Sequence, residues 1–264
     1  MAKKNTYTPM MQHYLEIKQQ HQDAIIFYRL GDFYEMFFED AKTASQELDL
    51  VLTGRNAGVE EKVPMCGIPF HASKGYIQRL IQKGYKVAIV EQLENPAEAK
   101  GLVKRDIIKI VTPGTIMDEV NDEKNTAYIA SMHDYQFGLA VVLCEMTTGE
   151  MRAQLIDKQV MAIQKIVLGN NVVEVVLPEN FDKKIVRMME DMESITISYQ
   201  NDTNIKEPYK HLLSGIKDER IYTAFATLTN YLDETQKRSM AHLQHVEMVY
   251  ENDFLQMDYN TKQI

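Results

Sequence analysis

The feature that most constrains this chain is a change of hydrophobic period within residues 25–48. Ile25-Ile26-Phe27-Tyr28 is a short apolar run rich in β-branched and aromatic residues, which predicts a strand. Gly31 then turns the chain, and a helix is predicted to start at Asp32 and run over about 33–48. Within it Tyr34, Phe37, Phe38, Ala41, Ala44, Ser45 and Leu48 recur at i, i+3, i+4 and i+7, so they share one buried face. Phe33 and Glu35 do not fit that face. At about 100° per residue Phe33 sits on its flank and Glu35 points away. Taken alone, the pattern makes Asp32 an N-cap, with Glu35 close to completing a capping box and Phe33 covering a satellite of the core.

The surrounding elements interleave. Residues 1–7 are expected to be a disordered start, and Pro9 opens an amphipathic helix reaching about Gln20. Val51-Leu52-Thr53 predicts a short strand leading into the glycine-rich loop Gly54-Arg55-Asn56-Ala57-Gly58. Arg55, an exposed cation beside permissive backbone, is a candidate phosphate contact. Val63 to Phe70 carries Pro64, Gly67 and Pro69 and predicts an irregular or edge segment. Ser73 can cap a helix over Lys74–Lys83 that closes at Gly84. Strands follow at Tyr85–Gln92 and Lys104–Val111, the second with the basic residues of a solvated edge. Such interleaving argues for a compact mixed-sheet α/β domain over residues 1–117.

Residues 118–128 are polar and acidic and read as a linker. In the second domain, 129–250, Phe137-Gly138-Leu139-Ala140-Val141-Val142-Leu143-Cys144 is apolar on both faces, as in a central strand. It turns at Thr147-Thr148-Gly149-Glu150 into a second strand at 151–156. Helices near 158–168 and 181–192 alternate with strands at 172–177 and 195–199. A long helix spans roughly Asp218 to Lys237, with charges placed to suit its dipole. Residues 251–264 are expected to begin a further domain.

Charge divides the chain in the same place. Residues 1–117 hold 15 Lys and Arg against 14 Asp and Glu, whereas residues 118–264 hold 14 against 24. Only the first half is compatible with a polyanion, and it is neutral rather than basic, so alone it should bind DNA weakly. No apolar run approaches the length of a membrane span, and the first residues lack a signal peptide's apolar segment. Cys66 and Cys144 fit no metal spacing and suit a reduced, cytoplasmic setting.

The run Gly31-Asp32-Phe33-Tyr34-Glu35-Met36-Phe37 resembles the mismatch-reading motif of the MutS family of DNA mismatch repair proteins. Three further blocks resemble that family in order and spacing: Thr8-Pro9-Met10-Met11-Gln12, Pro64-Met65-Cys66-Gly67-Ile68-Pro69-Phe70-His71 and Val111-Thr112-Pro113-Gly114-Thr115. The resemblance implies an N-terminal mismatch-recognition domain followed by a ribonuclease-H-like α/β connector domain. It implies mismatched double-stranded DNA as the ligand, with Phe33 wedging into the base stack and Glu35 hydrogen-bonding a mispaired base. Arg105, placed beside that region, joins Arg55 as a phosphate candidate. The family's ATPase, with ATP and Mg²⁺, its homodimer contacts and its MutL-type partner belong to the full-length protein. No Gly-x-x-x-x-Gly-Lys-Ser/Thr run occurs in this chain, so no nucleotide cofactor is expected in it.

Two other functions compete. A ribonuclease-H-like pattern raises a metal-dependent nuclease, with Glu145, Glu174 and Asp134 as the available carboxylates. No spacing forces them together, and surface acidity accounts for them. The acidic second half also reads as a protein-interaction module.

Overall fold

The computed structural model describes residues 6–94, 103–116, 127–192 and 194–250. It divides into two compact units, one built on residues up to Pro113 and the other on Gly114–Glu234 and the residues after Lys237. The linker expected at 118–128 lies outside the described residues apart from Ala127 and Tyr128, and the expected domain start at 251–264 lies outside them entirely.

The first unit begins with α1 (Pro9–Gln20), where Pro9 stands in the first turn and its missing N–H has no helical partner to lose. Its sheet runs in the order β3 (Thr53–Arg55), β4 (Val63–Pro69), β2 (Phe33–Phe37), β1 (Ala24–Leu30), β5 (Lys86–Gln92), β6 (Arg105–Val111). The β1–β5 pair is parallel and the others antiparallel, giving the mixed sheet expected. Both faces of β1 are buried. Ile26 and Tyr28 cluster with Met11 and Tyr14 of α1 and with Phe37, while alternation sends Ile25 and Phe27 to the other face.

The helix predicted from Asp32 starts later. Residues 33–37 are strand, and α2 spans Phe38–Leu48. Cross-strand pairing decides this: β2 lies between β1 and β4, and an aromatic-rich run fits a pleated, two-sided setting better than a first helical turn. Ala41, Ala44 and Leu48 keep the predicted helical face, whereas Tyr34 and Met36 are buried by strand alternation. Asp32 therefore caps nothing, and Glu35 makes no capping box. Phe37, in extended backbone, precedes α2 with no side-chain cap. Phe38 then carries a φ of +52°, a left-handed conformation uncommon for a bulky aromatic. Its ring packs against Tyr7 and Tyr14, at 5.8 and 6.2 Å between centroids.

Asp40, in the first turn of α2, is buried. Its carboxylate accepts from the Tyr14 hydroxyl at 2.7 Å and the Ile26 amide at 3.0 Å, and pairs with Lys18 at 2.8 Å. Burial, reinforced by that carboxylate, holds the Tyr14 hydroxyl well above its ordinary pKa.

Three further expectations change. Val51 and Leu52 are exposed and precede β3, whereas Gly54 and Arg55, read as loop, lie in it. β4 is not an edge: β3 covers it. Its prolines sit where they are tolerated, Pro69 as the last residue and Pro64 opposite Gly54 of the short edge strand. A 3-10 turn at Phe70–Ala72 leads into α3 (Ser73–Gln82), and Ala72, not Ser73, precedes the helix. The helix end follows the sequence. Gly84, at φ +83°, donates to the Ile81 carbonyl and Tyr85 to the Leu80 carbonyl, a Schellman closure.

The second sheet runs β11 (Thr196–Tyr199), β10 (Val172–Leu177), β7 (Tyr128–Tyr135), β8 (Gly138–Glu145), β9 (Met151–Asp157), β12 (Val246–Met248). β7, β8 and β9 form an antiparallel meander, and β10 and β11 add to β7 in parallel. The crossovers use α4 (Val160–Gly169) and α5 (Lys183–Glu190), which gives the ribonuclease-H-like order expected. Helix α6 (Arg220–Gln236) buries Ile221, Ala224, Phe225, Leu228 and Leu232 in a cluster with Val142 and Val176. The sequence pattern predicts no strand of the second domain before Phe137, yet β7 precedes it, and Asp134 lies inside that strand. Phe137, read as strand, stands in the turn and is 80% exposed.

Surface acidity also fails as an account of two carboxylates. Glu174 is fully buried, accepting from Ser198 Oγ and Tyr231 Oη at 2.5 Å each and from the Gly114 amide at 2.8 Å. Gly114 has no room for a side chain there: a Cβ would lie 2.8 Å from a Glu174 carboxylate oxygen. Glu145 accepts from the amides of Thr147 and Thr148 at 2.8 and 2.7 Å and so holds its turn. Burial raises its pKa, but hydrogen bonds from Thr148 and Thr147 outweigh that and leave it below the ordinary value. Asp134 pairs with Lys158 at 2.8 Å. Among the described residues no helix is long and apolar enough to cross a membrane.

Candidate nucleic-acid interface

The site is built on the β1–β2 hairpin. Leu30 faces Phe33 across the ladder, so Gly31 and Asp32 form a two-residue turn. Gly31 has a φ of +58°, which is the reason for glycine at the first turn position. Along β2 the side chains alternate, placing Phe33, Glu35 and Phe37 on one face and Tyr34 and Met36 on the other. Phe37 is sealed beneath α1, its ring 5.0 Å from that of Tyr14. Toward the turn that cover ends. Phe33 is 48% exposed, while Tyr34 and Phe37 are 6% and 0%.

Glu35 lies between those extremes and forms an ion pair with Arg55 of β3. Across the intervening strand, Gly67 stands opposite Glu35 and contributes no side chain. Arg55 also lies 5.9 Å from the Phe37 ring centroid. The fold thus brings Glu35 and Arg55 together across 20 residues of sequence and sets Phe33 two positions along the same face. Arg105 is placed differently. It is buried beside the Tyr28 ring, and it donates to the Arg29 and Val103 carbonyls at 2.9 Å each. The Tyr28 hydroxyl is raised by burial, and Arg105 opposes that rise.

On the reverse face sits a cluster that sequence reading missed. Arg29 and Tyr34 are cross-strand neighbours, and both engage Glu91 of β5, Arg29 at 3.2 Å and Tyr34 through its hydroxyl. Burial and the Glu91 carboxylate raise the Tyr34 hydroxyl above its ordinary pKa. The Arg29 guanidinium also lies flat over Phe70, 3.5 Å from the ring centroid. Phe70 is 37% exposed, and its amide donates to the Asp32 carbonyl at 2.9 Å. The one local signal was an arginine two residues before the turn glycine. Phe70 and Glu91 are 41 and 62 positions away and carry no local pattern.

Among the described residues no group of three or more His, Cys, Asp or Glu could hold a metal ion. Glu145 and Glu174 are each committed to their own hydrogen bonds, Glu145 to its turn and Glu174 to Ser198 and Tyr231.

Comparison with known proteins gives the family. Residues 8–120 match the family model described as MutS domain I. The DNA mismatch repair protein MutS of Bacillus thuringiensis (strain Al Hakam) is 42% identical over 258 residues, covering 97% of this chain and 29% of that protein. The proteins of the same name from Bacillus cereus (strain B4264) and Bacillus anthracis (strain CDC 684 / NRRL 3495) give the same figures. The chain therefore spans 29% of the length of the curated relatives it matches. An exposed phenylalanine and a paired glutamate on one hairpin, in a mixed-sheet domain followed by a ribonuclease-H-like one, thus accompany sequence identity along nearly the whole chain: the chain belongs to the MutS family.

Proposed function

We propose that this chain is the mismatch-recognition and connector segment of a DNA mismatch repair protein, and that it binds mispaired double-stranded DNA without catalysing a reaction. The observation that carries the reading is the selective exposure of Phe33. Of the aromatic residues in β2 it alone is left at the surface, at the turn end of a strand held on both sides. Driving its ring between base pairs costs a few kcal/mol of unstacking. Aromatic–base stacking returns about 1–3 kcal/mol. The balance favours steps that unstack cheaply, which are the mispaired ones.

Glu35 supplies the second contact, a hydrogen bond to a mispaired base. A carboxylate near phosphates is unfavourable on its own, and the ion pair with Arg55 supports the role by offsetting its charge. Arg55 is the better placed phosphate contact. Arg105 is the less accessible of the two, buried with its Nε and Nη1 donating to backbone carbonyls.

The domain boundaries proposed are 1–117 for recognition, 118–128 for the linker, 129–250 for the connector and 251–264 for the start of a core domain. No Gly-x-x-x-x-Gly-Lys-Ser/Thr run occurs in this sequence, which supports placing ATP and Mg²⁺ elsewhere in the full-length protein. They, the homodimer and a MutL-type partner are assigned to the full-length protein. The test is binding of mismatched and fully paired duplexes by full-length protein, with Phe33→Ala beside the wild type. Loss of preference supports the reading. A Phe33→Ala protein that still selects mismatches sinks it.

A further inference from the structure

We infer that Arg29 is a positioning residue for the wedge, fixing from behind the turn that carries Phe33. The inference rests on the reading of Phe33 given above. Arg29 lies in β1 opposite Tyr34, so its side chain is on the reverse face from Phe33 and is not aimed where that ring is aimed. Instead its guanidinium gathers the parts of the turn. Nε donates to the Gly31 carbonyl at 2.5 Å, and Nη1 pairs with Glu91 at 3.2 Å. Its plane covers the Phe70 ring at 3.5 Å, and Phe70 in turn donates its amide to the Asp32 carbonyl at 2.9 Å. Both turn carbonyls are thereby held, one by Arg29 directly and the other by the residue on which Arg29 stacks. The Arg29 carbonyl itself accepts from Arg105 Nε at 2.9 Å, so the brace is anchored to β6 as well.

The physical need for such a brace follows from the turn. Glycine admits more backbone states than any other residue, and each state of the turn at Gly31 would aim the first residue of β2 differently. An aromatic ring pushed against a base stack does useful work only if the backbone behind it does not yield. Arg29 meets this need with chemistry that lysine cannot copy. The guanidinium is planar and forked, so it can stack on Phe70 while bonding Gly31 and Glu91. An ammonium keeps the charge and loses the stack and the fork.

The experiment uses full-length protein and four variants, Arg29→Lys, Phe70→Leu, Glu91→Gln and Phe33→Ala. Each is measured on mismatched and paired duplexes over a range of salt, with a fluorescent base analogue beside the mispair to report unstacking. Arg29→Lys is expected to lower the mismatched-to-paired affinity ratio about fivefold, the factor for roughly 1 kcal/mol. Affinity for paired DNA and its salt slope stay at wild-type values, and the fluorescence rise on binding falls with the ratio. Phe70→Leu, which keeps an apolar side chain and every charge, gives the same pattern and carries the test if Arg29→Lys melts early. Glu91→Gln gives a smaller loss, because the stack on Phe70 survives. Unchanged ratios in Arg29→Lys and Phe70→Leu overturn the inference. Equal weakening on both duplexes with a shallower salt slope also overturns it, making Arg29 a phosphate contact. Phe33→Ala separates the two claims. If it loses preference while Arg29→Lys keeps it, only the positioning role fails; if Phe33→Ala keeps preference, the wedge fails and the positioning role with it.

Discussion

Each unit of this chain carries a β-hairpin with a phenylalanine at its tip, and the two are built to opposite ends. In the second unit Tyr135 pairs with Gly138, so Phe137 is itself a turn residue and is 80% exposed. In the first unit Phe33 is the first strand residue after the turn, only 48% exposed, and the carbonyls of both turn residues are held. Exposure alone would favour Phe137 as the contact residue. Under the proposed wedge role exposure is not the criterion: a ring that must press on another molecule needs a backbone that cannot recoil. Phe33 has one because it is itself a ladder residue, paired with Leu30 on one side and Pro69 on the other, whereas Phe137 stands before the first paired residue of β8.

The largest expected effect breaks the support beneath the first hairpin. Asp40→Ala removes the carboxylate shared by Lys18, Tyr14 and the Ile26 amide. It leaves buried donors without that acceptor, and a loss of about 3 kcal/mol of stability is expected. Chemical denaturation of the isolated chain measures it, and mismatch preference in full-length protein should fall together with stability. Phe33→Ala should separate those two quantities. Its expected cost to mismatch binding is about 1–3 kcal/mol. Its expected cost to folding is within about 0.5 kcal/mol, since the ring is half exposed.

Glu35 sharpens the comparison further. Both Glu35→Ala and Glu35→Gln remove the charge that offsets Arg55, so both should raise affinity for paired DNA and steepen its salt dependence. Only Glu35→Gln keeps a hydrogen-bonding group for a base. Its mismatch preference should exceed that of Glu35→Ala by about 1 kcal/mol. Equal preference in the two variants would remove the base contact from the proposal. The smallest effect belongs to the other hairpin. Phe137→Ala should leave mismatch preference unchanged and shift stability by less than about 0.5 kcal/mol. A clear loss of preference there would erase the distinction between the two tips.

How far the sequence led can be read from these same residues. Gly84 announced the end of α3, and the closure found there is the one its position implies. The run 138–144 announced a central strand, and β8 is buried along its whole length. The pattern sets Phe33 and Glu35 off a helical core face, but both lie in β2, where alternation puts them on one face with Phe37. A period near 3.6 continues by coincidence from α2 back through β2, because Tyr34 and Phe37 are buried for reasons of strand alternation and the α1 cover. β7 escaped notice because Ala130-Ser131-Met132-His133 has little β-branched content, although pairing on both sides makes it central. The Arg29 cluster could not be read at all. It joins β1, β2, β5 and the turn at Phe70, and only the assembled sheet makes those neighbours.

Phe38 shows what a single dihedral can decide. Holding a non-glycine residue at positive φ costs about 1–2 kcal/mol, and the fold meets that cost by seating the ring between Tyr7 and Tyr14. The outcome is a boundary between two competing secondary structures. Residues 33–48 contain a local vote for one continuous helix, and a right-handed residue at position 38 would let that helix propagate backward through Glu35 to Phe33. A left-handed one stops propagation at the junction. The five residues before it are then committed to the ladder, where Phe33 faces out.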